Sequence, residues 1–408
     1  MKRLPPNTAP VPVVTEYRWT ARVVTQLTVL ALAAYVYAVA ELAPIGAISA
    51  IARDLKVSEA HVGMLPAAYA FVSVLSTVPL VRWTSNWPQR RVFVLTLVAL
   101  AVSQVLSALA PGLALLAASR VLCALTHGLM WSVIAPIGAR LVPASHTGRA
   151  TTAVYIGTSA ALIVGNPMTS SMSQAWGWRP TMLVLAGMAA VIALAAGICL
   201  PPLLVDPVLT AQTEARSAPW YRNTRLVVLC TLTLIGVTAH FLSYTFVVPI
   251  IKNITGLSSG GTAVVLAAYG ATGLISIAVC ARATDKHPRI AVLLALAAMC
   301  AAFWGLAVLA GLGASAPAAG VFTILVWGAC AAVLPPMFQS TAIRLCPQRP
   351  EYTSALYVTA FQVGIVAGSV SGGVVYGQGG VLTVVVLSAV LCAIALVGAI
   401  IRGDVFRA

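Results

Sequence analysis

Long, nearly uncharged apolar runs recur along the whole of this 408-residue chain, and they leave it few ways to fold. A stretch of roughly 18 or more apolar residues is long enough to cross a bilayer as a helix. Twelve such stretches are legible, at about 23–50, 61–81, 92–110, 113–138, 150–174, 180–204, 225–251, 261–281, 290–312, 317–343, 352–377 and 380–401. They are too long and too regular for the strands of an outer-membrane barrel. Residues are 60% hydrophobic and only 8% charged, far from the balance of a soluble domain. The pattern predicts an all-α membrane protein with 12 transmembrane helices. Residues 1–22 are Pro-rich, polar and basic, and the first apolar run is too long for a signal peptide, so a short tail ahead of the first span is expected.

The formal charge of +15 could point to a polyanionic partner, but the positions of the charges give a different reason for it. With both termini in the cytoplasm, the inner connections hold most of the basic residues, among them Arg82, Arg90, Arg91, Arg282, Lys286, Arg289, Arg344 and Arg349. The outer connections hold Arg53, Lys56, Arg179 and Lys252. This is the positive-inside pattern. It predicts a multi-pass protein of the cell (inner or plasma) membrane, with the lipid bilayer rather than nucleic acid as its large partner. Eight cysteines (Cys123, Cys199, Cys230, Cys280, Cys300, Cys330, Cys346, Cys392) lie in or beside the spans without zinc-site or disulfide spacing, and read as small buried hydrophobes. Gly311-Leu312-Gly313 lacks the strand-to-helix setting of a nucleotide site, and there is no Walker-type loop. No cofactor, metal or ATP is expected, and no cluster of reactive groups suggests an enzyme.

The spans divide six and six. The expected units are a tail at 1–22, a bundle at 23–204, a cytoplasmic linker at 205–224, a second bundle at 225–401 and a tail at 402–408. Faint repeats cross the divide at an offset near 200. Ala67-Ala68-Tyr69-Ala70 echoes Ala267-Ala268-Tyr269-Gly270; Gly128 and Pro136 echo Gly328 and Pro336; Tyr155 resembles Tyr357. Duplicated bundles are the sequence form of a transporter whose site lies between the halves near the midplane. Gly157, Ala161, Gly165 and Thr169 fall four apart in span five, and Gly364, Gly368 and Gly372 in span eleven, a spacing that lets helix backbones approach. Pro44, Pro66, Pro136, Pro167, Pro249, Pro335 and Pro336 each remove a backbone donor from a span.

Glu41 is the only charged residue between Val23 and Ala52. A carboxylate at membrane depth costs roughly 2.5–3.5 kcal/mol on the gentlest scale, so it marks a functional site unless it reaches the headgroups from the outer end of its helix. Shielded from water, it could carry a proton, loading outside and unloading inside. Tyr37 shares its helix face. Arg120, Cys123, His127 and Trp131 form one stripe of span four, and His240 and Tyr244 share a face of span seven. Either histidine could be the proton site, or could simply pack with one hydrogen bond. Arg120 stays protonated and can bias an acid, pair with backbone or substrate oxygens, or snorkel out of its span.

Several motifs resemble those of the major facilitator superfamily over nearly the whole chain. They are Gly177-Trp178-Arg179 after span five, Gly165-Asn166-Pro167 near that span's outer end, and Arg120 early in span four. The motif between spans two and three is degenerate, with Ser85 and Asn86 where an Asp is usual, although Arg90 and Arg91 remain. Glu41 to Gly46, His127 to Ser132 and Val237 to Tyr244 resemble the corresponding segments of bacterial sugar efflux transporters in the twelve-span drug–proton antiporter branch. The resemblance implies two pseudo-symmetric six-helix bundles with spans one, four, seven and ten around a central cavity. It makes Glu41, Arg120, His127 and His240 the proton-coupling set. Tyr37, Tyr69, Trp131, Tyr244, Tyr357 and Phe361 then offer flat faces for a pyranose ring, all but Tyr69 being kept as substrate-binding candidates, and Asn166, Gln339 and Gln362 offer amides for its hydroxyls. The implied activity is proton-coupled export of sugars or sugar-like molecules by alternating access, in a monomer. Multidrug, amphenicol or nucleoside efflux on the same fold is the alternative, and an importer or uniporter a further one.

Overall fold

A computed structural model describes residues 19–58, 61–62, 64–204, 220–312 and 316–406. Most of the expected linker at 205–224 and most of the expected N-terminal tail lie outside them, as do 407–408. The described chain is helical, and among the described residues no strand forms.

Among the described residues, nine helices are individually long and apolar enough to cross a membrane. The remaining spans escape that test for identifiable reasons. Span two is the helix Leu65–Trp83, whose apolar part, Ala68–Trp83, is short. Span five is broken: an α-helix Thr147–Ala160 passes through a π-helical turn at Ala161–Gly165 into a second helix, Asn166–Ala175. Pro167 has no N–H and its ring crowds the preceding turn, which is where a π-bulge relieves a helix. Spans eleven and twelve run together as Pro350–Ile401, but Gly380, at φ 63° and ψ −156°, turns the chain back in a conformation that only glycine adopts readily. Twelve passes result.

Spans one and seven are also interrupted. Span one runs Ala21–Gly46 and then Ile48–Leu55, and span seven Thr224–Tyr244 and then Val247–Thr255. Spans three, four and six are Gln89–Ala108, Leu113–Arg140 and Trp178–Cys199. Spans eight, nine and ten are Ser259–Lys286, Pro288–Leu312 and Pro317–Leu345. Twelve passes put Trp19 and Phe406 on one side, called here the tail side; the opposite one is the far side.

The repeats at offset 200 mark the same packing in each half. A Cβ on Gly157 would meet the Ala31 carbonyl and one on Gly165 the Val39 side chain, so span five lies directly on span one. Gly364, Gly368 and Gly372 likewise admit the backbone and side chains of span seven between Leu234 and Leu242. Gly128 accommodates Thr77 of span two, and Gly328 accommodates Tyr269 of span eight. The stripes of small residues are therefore the seams within each bundle.

Packing between the bundles runs from mid-span to the tail side. Spans five and eight meet there, as do spans two and four with span eleven. Far-side segments 48–55, 166–175 and 247–255 pack principally on their own bundles. Charge fastens the tail side. The Asp285 carboxylate, ending span eight, accepts the N–H groups of Gly148 (2.7 Å) and Arg149 (3.2 Å) in the first turn of span five, and pairs with Arg344 at 2.9 Å and Arg149 at 3.3 Å. Glu351, in the first turn of span eleven, pairs with Arg140 of span four at 2.7 Å. Both acids sit at helix N-termini, where free N–H groups and the helix dipole favour negative charge. An offset of 200 carries Asp285 onto Ser85, so the clasp that the degenerate loop lacks is supplied by the other half of the repeat.

Candidate functional site

The site is built on the break in span one. Pro44 has no N–H, so the carbonyl four residues earlier, on Ala40, loses its helical partner. The Arg120 guanidinium of span four fills that vacancy, donating to Ala40 O at 2.9 Å and to Ser107 Oγ at 3.0 Å. Arg120 is buried and does not snorkel. It is held beside Glu41 by a backbone oxygen and a hydroxyl, so the acid next door is not tied up in an ion pair with it.

Glu41 instead faces His127. Its Oε2 lies 3.7 Å from His127 Nδ1, and its side chain keeps 29% of its exposure, whereas the imidazole keeps 4%. The acid thus stays partly exposed while the histidine behind it is enclosed. The Tyr69 hydroxyl lies 2.8 Å from the same Nδ1, and Gln362 Nε2, from the other bundle, lies 2.9 Å from Nε2. An amide nitrogen can only donate, so Nε2 accepts and the proton of the neutral ring sits on Nδ1, aimed at Tyr69 and Glu41. His127 thereby joins an acid on span one to an amide on span eleven.

His240 lies in the second bundle. Trp327 Nε1 donates to its Nδ1 at 2.9 Å, which leaves the ring proton on Nε2. Tyr244 stacks on it, with ring centroids 5.1 Å apart and planes at 25°. Tyr269, Phe241 and Phe303 complete a continuous aromatic cluster around Trp327. The histidines therefore belong to two separate neighbourhoods, one polar and one aromatic.

The remaining candidates divide by what already holds them. Tyr37 is wholly buried, its hydroxyl donating to Thr96 O at 2.8 Å, so it shows the cleft no face. Tyr357 is buried and donates to Pro335 O at 3.0 Å. Gln339 Nε2 donates across the bundles to Trp131 O at 3.0 Å and to Ser354 Oγ at 2.8 Å. With Gln362 on His127, both glutamine amides join chain segments instead of standing free for hydroxyls. Trp131 is buried against Tyr155 and His127. Phe361 and Tyr244 are half-buried. The Asn166 side chain lies outside the described residues. Sequence reasoning named Tyr69 as a flat face without keeping it among the site residues, and did not name Trp327, Tyr269 or Asp285 as site residues; the offset that pairs Tyr69 with Tyr269 and His127 with Trp327 was the available signal. Among the described residues no group of three or more His, Cys, Asp or Glu could hold a metal ion.

Two related six-helix bundles, helices broken at their shared interface and a carboxyl–imidazole pair at mid-span define a transporter of small molecules. The chain belongs to the Major Facilitator Superfamily, whose family profile matches residues 29–350 and again 229–405. It is 48% identical over 394 residues to a protein of Mycobacterium tuberculosis (strain ATCC 25618 / H37Rv) described as a chloramphenicol efflux pump, covering 95% of this chain and 94% of that one. A counterpart from strain CDC 1551 / Oshkosh bears the same description at the same identity. Among solved structures, FucP in the outward conformation superposes with a TM-score of 0.74 at 15% identity, covering 93% of this chain and 99% of that one. The proton:xylose symporter XylE does so with 0.75 at 13%, covering 94% and 96%. The two solved structures establish the fold alone. The relatives' descriptions support the drug-efflux alternative over the expectation of sugar export.

Proposed function

We propose that this chain exports an amphipathic drug of the chloramphenicol kind in exchange for protons, with Glu41 as the group that takes the proton from the far side. One observation carries the reading. Glu41 is partly exposed and sits against a buried histidine whose other nitrogen is bonded to the opposite bundle. The positive-inside distribution puts the tail side in the cytoplasm, so the state described here opens outward. We place the division between the bundles at the 205–224 linker, and the site is complete within one chain.

Coupling follows from hydrogen-bond valence. While His127 carries its ring proton on Nδ1, its Nε2 can accept from Gln362. A proton taken up by Glu41 makes its carboxyl a donor towards Nδ1, and the ring meets it by carrying its own proton on Nε2 instead. Gln362 must then turn its amide or withdraw, because two donors cannot face each other, and a buried donor left unpaired costs about 1–3 kcal/mol. Loading the proton loosens the midplane link between spans four and eleven. Releasing it to the cytoplasm restores that link.

The test is drug transport driven by a pH gradient in everted vesicles. Glu41→Gln should abolish chloramphenicol uptake in response to the gradient while drug binding persists. Unchanged gradient-driven uptake in that variant would remove Glu41 from the mechanism. A wild-type chain that moves thiogalactosides but not chloramphenicol would restore the sugar reading.

A further inference from the structure

The two bundles present the same side-chain positions at their interface and fill them with different chemistry. An offset of 200 relates Tyr69 to Tyr269 and His127 to Trp327, and one of 203 relates Tyr37 and Glu41 to His240 and Tyr244. In the first bundle these positions hold an acid, an imidazole and two hydroxyls: the Tyr69 hydroxyl lies 2.8 Å from His127 Nδ1, Glu41 faces the same nitrogen at 3.7 Å, and Tyr37 bonds Thr96 O and Thr126 Oγ1. In the second they hold four rings in mutual contact: His240 on Tyr244, Tyr244 at 5.9 Å from Tyr269, and Trp327 edge-on to His240, Tyr244 and Tyr269.

We infer that the second half of this repeat is a subsite for a flat, uncharged aryl group and that Tyr244 sets its specificity; the inference rests on the proposed reading of the chain as a drug exporter. The cluster is layered. Trp327 and Tyr269 are buried and form its back wall, while His240, Tyr244, Phe241 and Phe361 are half-buried and form its front. The bond from Trp327 to His240 fixes the ring on which Tyr244 stacks, so the surface is organised before a ligand arrives, which reduces the ordering cost of binding.

Charge narrows the ligand class. The charged residues of spans seven, eight, ten and eleven are Arg225, Lys252, Arg282, Asp285, Lys286, Arg344 and Glu351, all toward the span ends. No ion therefore stands at the cluster to hold a charged group. Hydrogen-bond supply narrows it again. A sugar ring brings several hydroxyls, and each needs a partner when it leaves water. The amide nitrogens of Gln339 and Gln362 are already engaged between helices, and the buried Gln339 Oε1, which has no partner, can only accept. What the cluster itself offers is the N–H of His240, the hydroxyl of the half-buried Tyr244 and the Tyr269 hydroxyl, which is buried without a hydrogen-bond partner. That supply suits a ring bearing one or two acceptors, such as a nitrophenyl group, stacked offset or edge-on against the aromatic wall.

Binding can be read without transport. The purified full chain in lipid nanodiscs is titrated with chloramphenicol, whose nitrophenyl ring quenches tryptophan emission on close approach. Saturable quenching is expected, with part of it lost in Trp327→Phe. Tyr244→Leu should raise the half-saturation concentration about tenfold, while Tyr244→Phe, which keeps the ring, should stay within about twofold. Excess thiogalactoside should not displace the drug. Wild-type half-saturation in Tyr244→Leu, an absence of saturable quenching, or full displacement by the galactoside each overturns the inference. Intact, Tyr244-dependent binding without gradient-driven transport would instead sink the proposed export and leave the aryl subsite standing.

Discussion

Replacing Asp285 with Ala should open the tail side of the protein. The Asp285 carboxylate is 2% exposed and gathers two N–H groups and two guanidinium groups. Its partners Gly148 and Arg149 belong to the first bundle, so these bonds exist only while the bundles are closed on this side. Removing one member of a buried ion pair costs roughly 3–5 kcal/mol. Arg149 and Arg344 retain 24% and 22% of their exposure, so water recovers part of that cost. About 2–3 kcal/mol then falls on the closed state alone, in line with loss of hydrogen bonds to a charged group. At 1.4 kcal/mol per decade, the closed-to-open ratio drops roughly 30- to 150-fold. Spin labels at Ser145→Cys and His287→Cys, both exposed and on opposite bundles, report the gap by pulsed electron resonance once the partly exposed native cysteines are replaced. The short distance that dominates in the parent should give way to a longer one. Asp285→Asn, which keeps an acceptor for the two N–H groups, should shift the distribution less. Adding Ser85→Asp, at the repeat-related position, should restore part of the short population by giving span eleven the cap that span five loses. An unchanged distance distribution in a folded Asp285→Ala protein would refute the clasp.

Two further outcomes follow from packing and charge. Gly157→Val should force spans one and five apart, because the Ala31 carbonyl occupies the space a Cβ needs; overpacking of this kind costs about 1–3 kcal/mol and lowers the detergent melting temperature, while Gly187→Val, with nothing within 4 Å, should leave it unchanged. At the C-terminus the Arg402 side chain holds the Asp404 carboxyl below its ordinary value of 3.8. A depressed folded value means that this tie is fully present above pH 3.8 and lost as pH falls through the lower folded value. Hydrogen exchange across Gly403–Phe406, corrected for the intrinsic rate, should therefore be flat down to about pH 4 and accelerate below it, and Asp404→Asn should show the accelerated exchange at neutral pH.

The spans were legible in the sequence because a membrane helix satisfies its backbone hydrogen bonds within one segment, so its signature is local. Pro167 and Gly380 disturb the helices without disturbing the apolar pattern, and the apolar part of span two is short, which is why twelve runs could be read where, among the described residues, nine helices are long and apolar enough to cross on their own. Glu41, His127 and His240 were legible for a related reason: an ionisable group in an apolar run stands out wherever the chain later carries it. What the other residues do depends on contacts made at long range. Asp285 looks like an ordinary charge at a segment end until span five brings Gly148 N to 2.7 Å. Gln339 and Gln362 were recognisable as polar, but whether an amide faces a ligand or another helix is decided only when the bundles meet. Trp327 and Tyr269 resemble any packing aromatic, and only their register with His127 and Tyr69 sets them apart. Arg120 lies between these cases. Counting four residues back from Pro44 identifies Ala40 O as the carbonyl without a donor, one residue from the acid, but no local rule says that span four supplies the missing donor. That backbone vacancy lets a buried cation sit beside Glu41 without pairing to it, so the acid stays free to take up and release a proton while it faces His127.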